Sequence, residues 1–315
     1  MCSEPLEKAI VDFGADVPFG KIPQKFEEHY GITVPISTAR EVTQKHAKKM
    51  ALIKKKNPEN KGYAEARYII GSVDGVMVPI VETAENKVEK DLRKTRSTCW
   101  KEARLALACK KGSVSPNYAA TMGSTDDAGD MLNKCVKQAG MGEKTNVHIV
   151  ADGAPWIEEQ VERQFGNRAN FLIDFYHLSQ YLAEAGKCCC PEDPGKWLTA
   201  SQACMKKSNV EPVISQLRTH VEQGCSMGKD CLAKKCLNYL ERRISRLDYK
   251  SALDQDLPIG SGAIESGNRH VIQARLKISG AWWKKKNAQA MLDLRTCRAN
   301  GDWNHYWAGM NTGVA

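Results

Sequence analysis

The segment NVHIVADGAPWIEEQVERQFG, residues 146–166, puts a carboxylate at the end of what reads as a buried strand. Val147, Ile149 and Val150 form the nearly continuous apolar run of a strand covered on both faces. Asp152 ends that run, Gly153 and Ala154 break it, and Pro155 suits the first turn of a helix carrying Trp156, Ile157, Val161 and Phe165. Chemistry in open α/β sheets gathers where strands end and helices begin, so Asp152 is a candidate ligand or base. Capping of the next helix is the plain alternative for such an aspartate. A second junction of this kind follows in NFLIDFYHLSQYLAEAG, residues 170–186, where Phe171, Leu172 and Ile173 end at Asp174 and His177 opens a helix.

A third acid stands further along. In PIGSGAIESGNRHVIQARLKISGAWWKKKNAQAMLDLR, residues 258–295, a regular helix puts Ile264, Val271, Arg275 and Ile278 on one side and Glu265 between Ile272 and Leu276. That placement points Glu265 toward the protein. A first-turn glutamate favoured by the helix dipole is the alternative.

The elements that must position these groups follow from patterning. Residues 5–13 read as a first helix with Leu6, Ile10 and Phe13 on one side, and PFGKIPQKFEEHYG as a second that stops at Gly31. A longer basic helix follows, with Thr38 and Glu41 spaced as a capping box. It carries Arg40, Gln44, Lys45, Lys48 and Lys49 and runs into Lys54, Lys55 and Lys56. Helix, turn and helix of this kind can set a basic helix in a major groove, or can be a solvated packing appendage. Residues 54–66 read as a linker. Residues 68–82, YIIGSVDGVMVPIVE, read as two strands folded at Asp74–Gly75, an Asp-Gly hairpin signal. Residues 100–112 read as a third strand and about 126–140 as a helix. Residues 187–254, rich in Lys and Cys with helical periodicity, read as an all-helical insertion, and 258–295, within a last region 255–315, as two helices separated near Gly280.

Composition bounds the function class. The 315 residues hold 46 Lys plus Arg against 37 Asp plus Glu, a formal charge of +9 that suits a polyanionic partner such as nucleic acid. No secretory signal and no apolar run of membrane-spanning length occurs, so a cytosolic protein is expected. The 12 Cys, with no C-x-x-C pair in their densest set, are read as reduced thiols and not as a zinc site.

Asp74, Asp152 and Glu265 come in the order of the carboxylates of ribonuclease-H-like polynucleotidyl transferases. At DGAPWI, DFYHL and GSGAIES the sequence resembles the DDE transposases of bacterial insertion sequences, specifically the ISKra group. The resemblance covers nearly the whole chain, from FGADVPFGK and EHYGITVPIS through WKEARLALA and YAATMGSTDDAG to RLKISGAWW. It implies an α/β fold: a ribonuclease-H-like mixed sheet flanked by helices (67–186 and 255–315), interrupted by the helical insertion, with an N-terminal helix-turn-helix over 1–53. It implies that Asp74, Asp152 and Glu265 share two Mg²⁺ ions, for which Mn²⁺ substitutes, with Asp74 bridging. Asp174 is then a fourth ligand or a helix cap, and His177 a contact to DNA, an orienter of the scissile phosphate or a structural histidine.

The resemblance further implies strand cleavage at transposon ends and strand transfer into target DNA, with a bacterial, nucleoid-associated location. Terminal inverted repeats and target DNA are the expected partners, on an assembly of at least two copies. Arg40, Gln44, Lys45 and Lys48 would read the ends, and Arg269, Arg275, Lys277, Lys284, Lys285 and Lys286 would bind phosphates. Trp282 and Trp283 are open to two readings, stacking on an unpaired base or filling space between helices. A structure-selective nuclease and a catalytically silent DNA-binding regulator are the alternatives. More sequence ahead of the helix-turn-helix is expected in this group.

Overall fold

The computed structural model describes residues 2–56, 64–83, 95–223 and 231–311. Five strands form one mixed sheet in the order β3-β2-β1-β4-β5. Strand β1 (Tyr68–Thr83) pairs antiparallel with β2 (Arg96–Lys110), and β2 with β3 (Asn117–Thr121). On its other side β1 runs parallel to β4 (Asn146–Ala151), which runs parallel to β5 (Ala169–Ile173).

The hairpin expected at Asp74–Gly75 does not form. β1 passes straight through both residues, with Asp74 opposite Leu105 of β2. Gly75 lacks the positive φ that a tight Asp-Gly turn needs, and the β-branched residues after it extend the ladder.

Helices cover both faces. One apolar cluster joins Val73, Ile149 and Leu172 to α4 (Thr125–Gln138), α5 (Pro155–Phe165) and α6 (Phe175–Cys189). It continues through α7 (Pro194–Lys206), α8 (Glu211–Glu222), α9 (Leu232–Glu241) and α10 (Tyr249–Asp254). The described residues of 187–254 are thus mainly helical, as their periodicity predicts, with seven residues, 224–230, outside the described ones. Cys188, Cys189, Cys190, Cys204 and Cys236 are free thiols, but Cys231 is disulfide-bonded, which corrects the expectation of reduced thiols at that position.

The second cluster joins Val78, Ile80, Leu105 and Leu107 to the N-terminal helices α1 (Glu4–Asp16), α2 (Ile22–Tyr30) and α3 (Ile36–Lys56). It also takes in α13 (Lys285–Ala299) and α14 (Trp303–Asn311). The N-terminal helices therefore share a core with the sheet. Gly31 ends α2 in the left-handed conformation with φ 63°, as expected of a C-terminal cap. The capping box at Thr38 and Glu41 is not formed, because α3 starts two residues earlier: the Ala39 N–H already bonds the Pro35 carbonyl at 2.9 Å. The linker 54–66 falls largely outside the described residues.

The outer edge of β3 is closed by side-chain amides. Asn300 accepts from the Tyr118 N–H at 2.7 Å and donates to its carbonyl at 3.0 Å. Gln289 accepts from the Met122 N–H at 2.8 Å and donates to the Ala120 carbonyl at 3.3 Å. Two amides thus imitate a neighbouring strand, which blocks edge-to-edge pairing. A groove of about 960 Å³ lies beside this edge.

Candidate functional site

The parallel register does for Asp74 and Asp152 what no local signal predicts. Gly71 pairs with Ile149, so three residues further along each strand Asp74 and Asp152 come level. Ala151 pairs with Ile173, so one residue further Asp152 and Asp174 come level as well. Adjacent strands lie ~4.8 Å apart, which puts three aspartates in one row across three strands. Glu265 reaches the same place from α11 (Gly262–Gly267). Asp74, Asp152, Asp174, His177 and Glu265 all line a single cleft of about 200 Å³.

Each acid has a distinct environment. Asp74 is half-buried; its carboxylate accepts from the Gly75 N–H at 2.7 Å and from the Asn268 amide at 2.7 Å. Burial, aided by the negative charge of Asp152, pushes the Asp74 carboxyl up to about 6 despite those bonds. The Asn268 Oδ1 is buried and has no hydrogen-bond partner among the described residues. Asp152 accepts from the Ala154 N–H at 2.9 Å, a local turn bond to one of its oxygens, and the residue lines the cleft. Asp152 does not cap α5: the N-cap position is Ala154, without a side-chain cap bond, and the Asp152 contact stays within the turn before the helix.

Asp174 is different. One oxygen accepts from the N–H groups of Tyr176 at 2.6 Å and His177 at 2.9 Å, capping α6. The other accepts from the Ser261 N–H at 2.6 Å and from its hydroxyl. Both oxygens are engaged and the residue is 3% exposed, so the geometry favours the cap over a fourth ligand. The same bonds dock the GSGAIES segment: the Phe175 N–H donates to Ile259 at 2.9 Å and His148 Nε2 donates to the Pro258 carbonyl at 2.8 Å. Burial holds the His148 imidazole below its usual range, although the bond to the Pro258 carbonyl by itself favours the protonated form. Asp174 therefore positions the helix that carries Glu265.

Glu265 is exposed at the rim of the cleft, against the expectation that it points into the protein. The wheel fails for a geometric reason. After α11 the helix widens into a π turn (Asn268–Gln273) before α12 (Ala274–Leu276), and the wider turn displaces later residues by about one position. Ile272 and Leu276 are buried and Glu265 is not in their stripe. The π turn also brings Asn268 onto Asp74. Among the described residues no three His, Cys, Asp or Glu side chains stand close enough to enclose a metal ion.

The helical insertion contributes two residues that sequence reasoning did not single out. Tyr239 of α9 donates its hydroxyl to the Asp152 carbonyl at 3.0 Å, and Arg243 donates to the Gly153 carbonyl at 3.2 and 3.1 Å. Gly153 has φ 78°, and a Cβ there would fall 2.9 Å from the Tyr239 hydroxyl and against Ile173. Tyr239 is stacked on Tyr181 at 4.2 Å, with the Arg243 guanidinium 4.3 Å from its ring centroid. His177 is half-buried with its ring edge-on to Tyr181 and Tyr239. Tyr239→Phe keeps the stack and removes the bond to Asp152, so it should lower stability by about 1 kcal/mol in urea unfolding. An unchanged midpoint would show that the bond contributes nothing.

The expected DNA contacts divide. Arg40 and Lys48 are exposed on α3, Gln44 is half-buried, and Lys45 is bound to Glu7 at 3.0 Å. The buried face of α3 includes His46, which lies between Glu7 and the Tyr306 hydroxyl, each at 2.7 Å. Arg269, Lys277, Lys284, Lys285 and Lys286 are exposed. Arg275 is not available to phosphate. It is 2% exposed, its guanidinium lies 4.8 Å from the Phe19 ring centroid and 4.9 Å from that of Trp283, and its Nε donates to the Gly14 carbonyl at 3.0 Å.

The chain is thus a mixed-sheet α/β protein with an acidic cleft where its parallel strands end. Residues 64–307 match the family described as Uncharacterised protein family (UPF0236), and the chain belongs to that family. Among curated proteins it is similar to a UPF0236 protein of Caldanaerobacter subterraneus subsp. tengcongensis, 30% identical over 159 residues, 49% of this chain and 31% of that protein. It is also similar to a UPF0236 protein in the vanSb 3′ region of Streptococcus gallolyticus, 25% identical over 198 residues, 62% of this chain and 42% of that protein. The matched part therefore spans about a third of the Caldanaerobacter relative. No helix among the described residues is long and apolar enough to cross a membrane.

Proposed function

We propose that the protein is a DDE-type DNA transposase, resembling the ISKra group, that cleaves transposon ends and joins them to target DNA. The observation that carries this reading is the cleft itself: acids at positions 74, 152 and 265 come from two strands and a distant helix to one place. The strand order, with three antiparallel strands followed by two parallel ones, supports a ribonuclease-H-like core. The exposed cations on α3 and after Glu265 support DNA as the partner, and pairing two ends makes an assembly of at least two copies the natural form.

The donors suit a hard divalent cation in type, being carboxylate oxygens. Burial raises the Asp74 carboxyl first and the charge of Asp152 adds to it, and a bound cation would offset both costs. Asp74 and Asp152 would hold it from the sheet; Glu265, exposed at the rim, completes the set only by turning inward. When bound, Mg²⁺ supplies activation of the attacking oxygen and stabilisation of the leaving one in an in-line displacement. The chain's own residues supply order. Asn268 fixes the Asp74 carboxylate, Tyr239 and Arg243 hold the turn that bears Asp152, and the Asp174–Ser261 clamp sets the helix of Glu265.

The test is cleavage of a supercoiled plasmid bearing the element's ends, in Mg²⁺. Asp152→Ala should abolish cleavage and joining while leaving end binding largely intact, and cleavage at full rate in that variant would overturn the assignment. Cleavage without joined products would instead identify a structure-selective nuclease.

A further inference from the structure

Two tryptophans stand exposed side by side at a place the cleft does not use. Trp100 of β2 is 55% exposed and Trp282 is 46% exposed, with ring centroids 6.3 Å apart and planes inclined at 60°. Their neighbour Trp283 is 5% exposed. The backbone explains the contrast. Residue 283 bridges to Ile80 of β1, with the Val81 N–H donating to Trp283 at 2.8 Å and the Trp283 N–H donating to Pro79 at 3.1 Å. In such an extended segment successive side chains take opposite faces, so Trp283 plugs the core and Trp282 is left outside.

The core therefore accounts for Trp283 and not for the exposed pair. Contiguous exposed aromatic surface usually marks a contact. Here its surroundings are cationic. The Lys277 ammonium lies 5.9 Å from the Trp100 ring centroid, Lys284 is exposed two residues after Trp282, and the acids nearby on the strands, Glu82 and Glu102, are neutralised by Lys101 and Arg104. A partner that offers flat π faces and negative charge together is a nucleic acid strand whose bases are unpaired. A duplex presents the charge but keeps its bases stacked inside.

We propose that Trp100, Trp282 and Lys277 form a stacking site for an unpaired base of single-stranded DNA beside the acidic cleft; this rests on the reading of DNA as the substrate. Trp100 pairs with Pro79, five residues beyond Asp74 on β1. At ~3.3 Å per strand residue the pair lies about 17 Å from Asp74 along the sheet. That is about five base steps of a stacked strand at ~3.4 Å each. Five is an odd number of strand residues, so the Asp74 side chain and Trp100 take opposite faces of the β1–β2 ribbon, and a strand leaving the cleft reaches the tryptophans by passing around that ribbon.

The experiment measures binding of the full chain to a labelled oligo-dT by fluorescence anisotropy, in chelator. A fully abasic strand of equal length and a duplex serve as companions. Trp100→Ala and Trp282→Ala should each weaken oligo-dT binding by about 5- to 150-fold and leave the abasic strand and duplex within about twofold. Trp282→Phe should recover part of the loss. Unchanged oligo-dT affinity, or equal losses on all three ligands, overturns the site. A change of oligomeric state in sedimentation with oligo-dT affinity retained overturns it in favour of a second copy covering the patch. Because no divalent cation is present, failed plasmid cleavage leaves this result standing, and failed stacking leaves the cleavage reading standing.

Discussion

Replacing Asp74 by Asn should make the protein more stable above about pH 6 and at the same time inactive. The Asp74 carboxyl is raised to about 6 by burial and by Asp152, well above its ordinary value of 3.8. A carboxyl raised on folding binds more protons in the folded chain than in the unfolded one between those two values. Stability is therefore highest below that window and falls as pH rises through it. The shift corresponds to at most about 3 kcal/mol at neutral pH. Asparagine never ionises, so the variant escapes that loss.

The hydrogen bonds can follow. Asn keeps one carbonyl oxygen for the Gly75 N–H, and the Asn268 amide can turn over to offer its otherwise unpartnered Oδ1 to the new NH₂. Thermal melts in chelator should show the variant above the parent at pH 7.5 and the two converging as pH falls below about 3.8. Cleavage should fall by on the order of 10²–10⁴-fold, the range seen when a group acting on reacting atoms is removed. A variant destabilised equally at both ends of that pH range would show that Asp74 is held for packing and not against its electrostatic cost. That cost is what a binding site retains and a purely structural position sheds.

The sequence exposed local features well and long-range ones poorly, and the acids show why. Asp152 and Asp174 were legible because a buried strand, a terminal acid and a helix start are consecutive residues. That they stand level with Asp74 depends on parallel register between segments some 80 residues apart, which no local pattern encodes. Asp-Gly at 74–75 misled because the same dipeptide serves a turn or, where β-branched residues follow, a strand. Glu265 misled because a wheel assumes one pitch throughout, and the π turn at Asn268–Gln273 changes it. Asn268 itself, three residues after Glu265, carried no signal beyond that proximity. Tyr239 lies in a helix whose pattern announces only packing and Arg243 in the turn that follows it, yet both reach back to the turn of Asp152.

Arg275 offers the sharpest test of that lesson, since its charge suggested a DNA contact and its surroundings make it an anchor. It sits between Phe19 and Trp283, tied to the Gly14 carbonyl at the end of α1, and so joins the N-terminal helices to the helix that follows Glu265. Burial, together with neighbouring Arg295, pulls its guanidinium down to about 10, and one of its nitrogens has no partner among the described residues. Asp16 binds Arg295 and lies 2.9 Å from Arg298. Arg275 thus depends on two aromatic faces and a carbonyl for much of its support. Arg275→Ala should remove both cation–π contacts and leave a cavity, lowering stability by roughly 3 kcal/mol. Arg275→Met keeps the volume and discards the desolvation cost, so it should lose far less. In neither variant should the slope of DNA affinity against salt concentration change, because no phosphate contact has been lost. If instead both variants melt with the parent and the salt slope falls by about one, the side chain works at the surface on phosphate and the N-terminal helices are anchored elsewhere.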